Sequence, residues 1–193
     1  MRLKFSLAFF LCIVPLKAAD WPNWRGPDFN GISAETDWDP DRIENILWKV
    51  EVGTGFAGVA VAGGRVYTLG HDGRKSGGQE TVYCLDVKSG KKIWSDSYPA
   101  RLLPHLHEGG PAATPTIHGQ SAYTLGKDGK LNCYTAATGK KIWRRDVLAD
   151  SAMTKPAEWG FAGSPLIAGD AVIIEAAHTI AYHRESGEII WKS

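Results

Sequence analysis

Several things are scarce in this chain of 193 residues. It holds only 3 cysteines, no two of them adjacent, which excludes a vicinal disulfide. It has no excess charge of either sign. The formal net charge is +1, so no basic field is available to hold nucleic acid. No apolar run after residue 19 is long enough to cross a bilayer, which takes about 20 residues. No GxSxG sequence, P-loop or dinucleotide fingerprint occurs. What is abundant is glycine, at 22, and tryptophan, at 8. Frequent turns and large flat aromatics point to short strands rather than long helices.

The first 19 residues read as a secretory signal peptide. Arg2 and Lys4 precede the apolar run Phe5 to Leu16, and small residues follow at Ala18 and Ala19. Cleavage is expected near residues 18 to 20. Cys12 follows Phe10 and Leu11 rather than small residues, which argues against lipidation. Without Arg2, Lys4 and Lys17 the chain keeps 19 basic against 21 acidic residues, a net of −2. The expected product is exported, to the periplasm or beyond, with no transmembrane segment after cleavage.

The rest of the chain repeats itself. Trp48, Trp94, Trp143 and Trp191 are spaced by 46, 49 and 48 residues. Three of them close one phrase: Ser89-Gly90-Lys91-Lys92-Ile93-Trp94, Thr138-Gly139-Lys140-Lys141-Ile142-Trp143 and Ser186-Gly187-Glu188-Ile189-Ile190-Trp191. Upstream, Tyr67-Thr68-Leu69-Gly70 matches Tyr123-Thr124-Leu125-Gly126, with a weaker third copy at Val172-Ile173-Ile174. Gly55-Phe56-Ala57-Gly58 echoes in Gly160-Phe161-Ala162-Gly163. Each unit reads as four short strands separated by Gly- and Asp-containing turns. Four strands in a repeat of 40 to 50 residues are the signature of a β-propeller blade, whose two apolar faces are buried only by stacking on neighbours. The fold class expected is therefore all-β: a partial β-propeller of about three four-stranded blades. The blades are placed at about 56–98, 112–147 and 162–193, after a lead segment at 20–47. Residues 48–52 are assigned as a ring-closing outer strand. The structural tryptophan-docking set is Trp48, Gly90, Trp94, Gly139, Trp143, Gly187 and Trp191.

The phrase Cys84-Leu85-Asp86-Val87-Lys88-Ser89-Gly90-Lys91-Lys92-Ile93-Trp94 resembles the tryptophan-docking motif of pyrroloquinoline quinone (PQQ) propeller repeats, in the quinoprotein alcohol dehydrogenase-like superfamily. The second copy has Thr135 in the Asp place and the third has His183. The opening Trp21-Pro22-Asn23-Trp24-Arg25-Gly26-Pro27 is similar to the start of exported bacterial PQQ-like proteins. The resemblance implies an eight-bladed ring of which these blades are one arc.

Chemistry is sparse along the sequence. The resemblance would lead one to look for calcium ligands, an Asp base and adjacent cysteines, and the last are lacking. Cys84 and Cys133 occupy equivalent places in successive blades, which should lie beyond the ~7 Å limit for a disulfide. They are expected to be small buried residues. His105 and His107 share a face if extended and form a candidate metal pair, with solvated loop histidines as the plainer reading. No metal site is expected. Phe56, Gly109, Gly110, Trp159 and Phe161 fall at the entries to innermost strands and form a candidate axial pocket, with crowding of the blades near the axis as the plainer, favoured reason for the small residues there. Arg74 to Glu80 reads as a polar, mobile hairpin between the second and third strands of blade one.

Three functions are compatible with these features. The first is an exported, non-catalytic scaffold for binding or assembly, like the outer-membrane assembly lipoprotein of the same fold. The second is part of a PQQ-dependent dehydrogenase acting on an alcohol or sugar. The third is a polysaccharide-associated propeller. The first is favoured. It expects no catalytic residue and no cofactor in this segment, PQQ and calcium entering only with the second. The expected partners are other proteins or further C-terminal blades.

Overall fold

The structure, a computed structural model, describes residues 19–36, 39, 41, 45–104 and 107–193. The proposed signal peptide therefore lies almost wholly outside the described residues. Among the described residues, twelve strands form three antiparallel sheets in simple meander order. Blade one is β1 (Ala60–Ala62), β2 (Arg65–His71), β3 (Gln79–Asp86) and β4 (Lys92–Pro99). Blade two is β5 (Thr116–His118), β6 (Ser121–Leu125), β7 (Lys130–Thr135) and β8 (Lys141–Asp146). A single helical turn follows, α1 (Val147–Asp150), capped by the Asp146 carboxylate on the Ala149 N–H. Blade three is β9 (Leu166–Ala168), β10 (Ala171–Glu175), β11 (Thr179–His183) and β12 (Ile189–Lys192). The first strands of neighbouring sheets lie side by side, β1 beside β5 and β5 beside β9. These short strands are the inner, axis-facing edge of the arc.

The turn between the third and fourth strands explains the repeated phrase. In blade one the Asp86 carboxylate accepts from the Ser89 N–H at 2.8 Å and the Ser89 hydroxyl at 2.7 Å. The turn closes with the Gly90 N–H on the Asp86 carbonyl, and Gly90 sits at φ +66°. Gly139 and Gly187 close the other two turns on the Thr135 and His183 carbonyls, again at positive φ. The backbone bond is thus kept where the Asp is replaced. In each blade the ladder to the fourth strand shifts register at one place, after Cys84, Cys133 and Ala181, which pair with Trp94, Trp143 and Trp191.

Apolar side chains are buried between blades rather than within one. One core joins Tyr67, Val82, Cys84 and Trp94 of blade one to Ile117, Ala122 and Tyr134 of blade two. A second joins Tyr123, Leu131, Cys133 and Trp143 to Val172, Ile174, Ile180 and Tyr182 of blade three. Cys84 and Cys133 are buried and free, one in each core.

The N-terminal residues take part in the arc. Trp21 exchanges both backbone hydrogen bonds with Val61 of β1 at 2.8 Å, and the Pro22 carbonyl accepts from the Ile117 N–H of β5 at 2.7 Å. Asp20 accepts from the Gly63 N–H. This strap bridges the inner strands of blades one and two and satisfies backbone groups that a free edge would expose. Residues 45–52 pair with none of the three sheets, and Ile46 and Leu47 stand in solvent.

Candidate functional site

Every docking residue has a definite place. The Trp48 ring lies on Gly90, the Trp94 ring on Gly139 and the Trp143 ring on Gly187, so each tryptophan sits on the following glycine-bearing turn. A Cβ on Gly139 would stand 2.5 Å from the Trp94 ring, so only glycine admits the indole. Each indole N–H then donates to a carbonyl three residues before that glycine: Trp48 to Val87 at 3.0 Å, Trp94 to Ala136 at 2.8 Å and Trp143 to Arg184 at 3.0 Å. Trp191, at the same place in β12, is 45% exposed.

A tyrosine forms a second part of the lock. The Tyr67 hydroxyl donates to the same Ala136 carbonyl as Trp94, and Tyr123 to the same Arg184 carbonyl as Trp143, both at 3.2 Å. Sequence reasoning treated these tyrosines only as a repeat marker. Their identical place in two copies, with Ile173 in the third, is the signal that could have found them.

A polar network holds blade one to blade two near the loop ends. Glu80, expected in a mobile hairpin, instead lies in β3 with no exposed surface. One of its oxygens accepts from the Lys127 backbone N–H at 2.9 Å and the other from the Tyr98 hydroxyl at 3.0 Å. Burial pushes its carboxyl pKa up, while those two hydrogen bonds oppose the shift. Gly126 makes the approach possible, since a Cβ there would meet the carboxylate at 2.2 Å. His71 is also buried. Its Nδ1 accepts from the Gly73 N–H, which leaves Nε2 to donate to the Ala100 carbonyl at 3.1 Å. On the outer side, Asp96 receives Tyr134, Lys141 and Arg144 of blade two. These charges are committed to holding blades together.

The candidate axial residues are only partly assembled. Phe56 meets His107 edge-on at 4.7 Å, and His107 stacks on Trp159 at 5.3 Å. The Gly109 N–H donates to His107 Nδ1. Gly109 and Gly110 let this loop run against Leu103–Pro104 and Thr54–Gly55 without side-chain clash. Phe161 does not join the row: it is buried in the second core against Gly129. His105 lies outside the described residues. Among the described residues no three His, Cys, Asp or Glu side chains converge as metal ligands. Next to the row is a hollow of about 350 Å³ between Trp24 and Phe56, with no ionisable side chain in its lining.

Comparison with known proteins agrees with this architecture. A family model described as outer membrane protein assembly factor BamB matches residues 41–154 and 112–193. The chain belongs to this family of PQQ-like repeats. It is 35% identical over 89 residues to the quinohemoprotein alcohol dehydrogenase ADH IIB of Pseudomonas putida, covering 45% of this chain and 12% of that protein. It is 26% identical over 147 residues to ADH-IIG of the same organism, covering 68% and 18%. The crystal structure of quinohemoprotein alcohol dehydrogenase from Comamonas testosteroni superposes with a TM-score of 0.67 at 21% identity, covering 91% of this chain and 28% of that one. The chain thus spans less than a fifth of the curated relatives it matches. The fold is that of a partial β-propeller.

The names of these relatives point to a quinone and a haem, and the described residues can be set against what a quinone and a calcium ion would need. A calcium ion requires several converging oxygens, and the buried Glu80 already has both oxygens engaged. PQQ is a tricarboxylate, and the hollow beside Phe56 has no cationic side chain in its lining. No reaction step is therefore assigned to these three blades.

Proposed function

We propose that this protein is an exported, non-catalytic PQQ-like propeller that serves as a binding or assembly scaffold, with these three blades forming one arc of a larger, eight-bladed ring. The observation that carries this reading is a division of labour. The buried carboxylate of Glu80 is tied to the Lys127 N–H of the next blade and His71 is tied to Ala100 within its own, while large aromatic side chains, each about half exposed, are collected at the inner end in Trp24, Phe56 and Trp159. Buried charge without a free ligand site supports structure; exposed aromatic surface supports recognition. Residues 48–52 would close the ring by joining the sheet of the last blade. Residues 1–19 would direct export.

The second reading, a segment of a PQQ-dependent dehydrogenase, is favoured by the names of the curated relatives. One experiment separates the two. The full-length protein is incubated with PQQ and calcium and assayed for dye-linked oxidation of primary alcohols. The scaffold reading expects no turnover above the protein-free control. PQQ-dependent turnover would overturn it.

A further inference from the structure

The strap that bridges the inner strands does more than cover an edge. Trp21 and Pro22 are fixed by backbone bonds to β1 and β5, and Trp24 follows two residues later. Trp24 therefore reaches the inner-end hollow from a tethered segment. It is 57% exposed, and Phe56 across the hollow is 53% exposed. Two large aromatic side chains lining one hollow, one of them beneath the Arg25 guanidinium at 5.5 Å, are unusual in a surface that could have been built from small polar residues.

The floor has a matching chemistry. Gly58, Thr114, Gly163 and Ser164 also line the hollow, and Gly58 lies against the Thr114 hydroxyl, where a Cβ would come within 2.4 Å. The Ser164 hydroxyl oxygen accepts from the Thr114 N–H at 2.9 Å, so its own proton remains to be donated. A charged ligand would find no opposite charge among the lining residues themselves, the Arg25 guanidinium being held over the Trp24 ring at 5.5 Å. A purely aliphatic one would leave the Ser164 donor without a partner, which carries a cost once water is excluded. A ligand with a flat C–H face and several hydroxyl groups satisfies both features: the faces lie against indole and phenyl, and the hydroxyls meet Ser164 and Thr114.

We propose that the hollow between Trp24 and Phe56 is a subsite for a neutral sugar ring, with one wall delivered by the N-terminal strap. The volume, about 350 Å³, is in the range of small-molecule sites. Phe56 meets His107 edge-on at 4.7 Å, and His107 stacks on Trp159 at 5.3 Å, so the Phe56 wall of the hollow is braced by a row of rings. This inference rests on the binding-scaffold reading and names the ligand class of its exposed surface.

The test is calorimetric titration of the full chain with cellohexaose, xylohexaose and maltohexaose, and with oligogalacturonate as the charged control. Saturable binding of at least one neutral oligosaccharide is expected, with none to the charged one. Trp24→Ala and Phe56→Ala should each weaken it by about tenfold, the size of one lost aromatic contact. Trp191→Ala, which removes an exposed tryptophan outside the hollow, should leave it unchanged. Circular dichroism of each variant confirms folding, and Trp24→Phe, which keeps an aromatic face, should retain most of the affinity. Binding by none of the neutral oligosaccharides would overturn the proposal, as would wild-type affinity in Trp24→Ala and Phe56→Ala. The dye-linked assay is read separately: turnover there defeats the scaffold reading whatever the titrations give.

Discussion

Trp94→Ala tests the docking geometry most directly. The Trp94 side chain is 8% exposed and lies on Gly139. A buried tryptophan removes about 150–250 Å² from water. At about 25 cal/mol per Å² that is roughly 4–6 kcal/mol of transfer free energy. The indole N–H also donates to the Ala136 carbonyl at 2.8 Å, a bond worth about 1 kcal/mol net. Relaxation of the neighbours recovers part of this, and the expected loss is about 3–5 kcal/mol, the usual range for such truncations. The matched control is Trp191→Ala. That ring occupies the same place in its blade and, in this 193-residue segment, is 45% exposed with none of the described glycines beneath it, so its loss from the segment should be about 1 kcal/mol or less. Urea unfolding of the full chain, followed by far-ultraviolet circular dichroism, measures both. A far-ultraviolet signal is chosen because removing a tryptophan would itself change the fluorescence. The reasoning fails if the two variants shift the midpoint equally, or if Trp191→Ala is the more damaging.

Other outcomes follow from the same contacts. Gly139→Ala should cost as much as losing the ring, since its Cβ would stand 2.5 Å from Trp94 at a φ of +71°; a thermal midpoint within a degree or two of wild type (about 0.5 kcal/mol) would refute that. Burial raises the Glu80 carboxyl pKa in the folded state. The sign is therefore that Glu80 favours folding below its unfolded pKa of about 4.3 and loses that contribution as pH rises through the folded value. The melting temperature of Glu80→Gln should thus gain on wild type between pH of about 4 and 7, and a gap that stays flat or narrows with rising pH contradicts this. Burial pushes the Cys84 and Cys133 thiols up to about 11. Neither should react with a disulfide reagent at mildly alkaline pH until urea is added; rapid labelling of the native chain would show that one of them is accessible.

The parts of the fold that repeat were legible in the sequence. Trp94, Trp143 and their glycines recur at one spacing because every blade solves the same packing problem, so the period carries the geometry. Residues that occur once were not legible. Glu80 looked solvated because it follows Gly77 and Gly78 in a polar stretch. Only the third dimension brings Tyr98 and Lys127 to it. The strap was opaque for the same reason. Trp21 and Pro22 lie outside the repeat and have no periodic signal, yet their backbone atoms bind β1 and β5. At the candidate site, Phe56 and Trp159 were singled out from their glycine-rich context, and in the structure both pack against His107. The matching context misplaced Phe161, whose ring turns into the core against Gly129. Trp24 was noticed only as part of a family-like opening phrase, with no hint that it would face Phe56.

Each blade keeps its own indole on its outer strand and its own glycine in the turn just before it, yet neither meets the other. The indole is used one unit downstream, and the glycine is used by the unit upstream. A stretch of DNA encoding one such unit therefore carries both halves of a joint in a form that fits any copy of itself. Tandem duplication of that stretch yields a new blade already able to hold its neighbours, with no compensating change elsewhere. Ring size in proteins of this kind can grow by copying alone, and the degenerate Asp place at Thr135 and His183 shows how far the copies can drift while the joint survives.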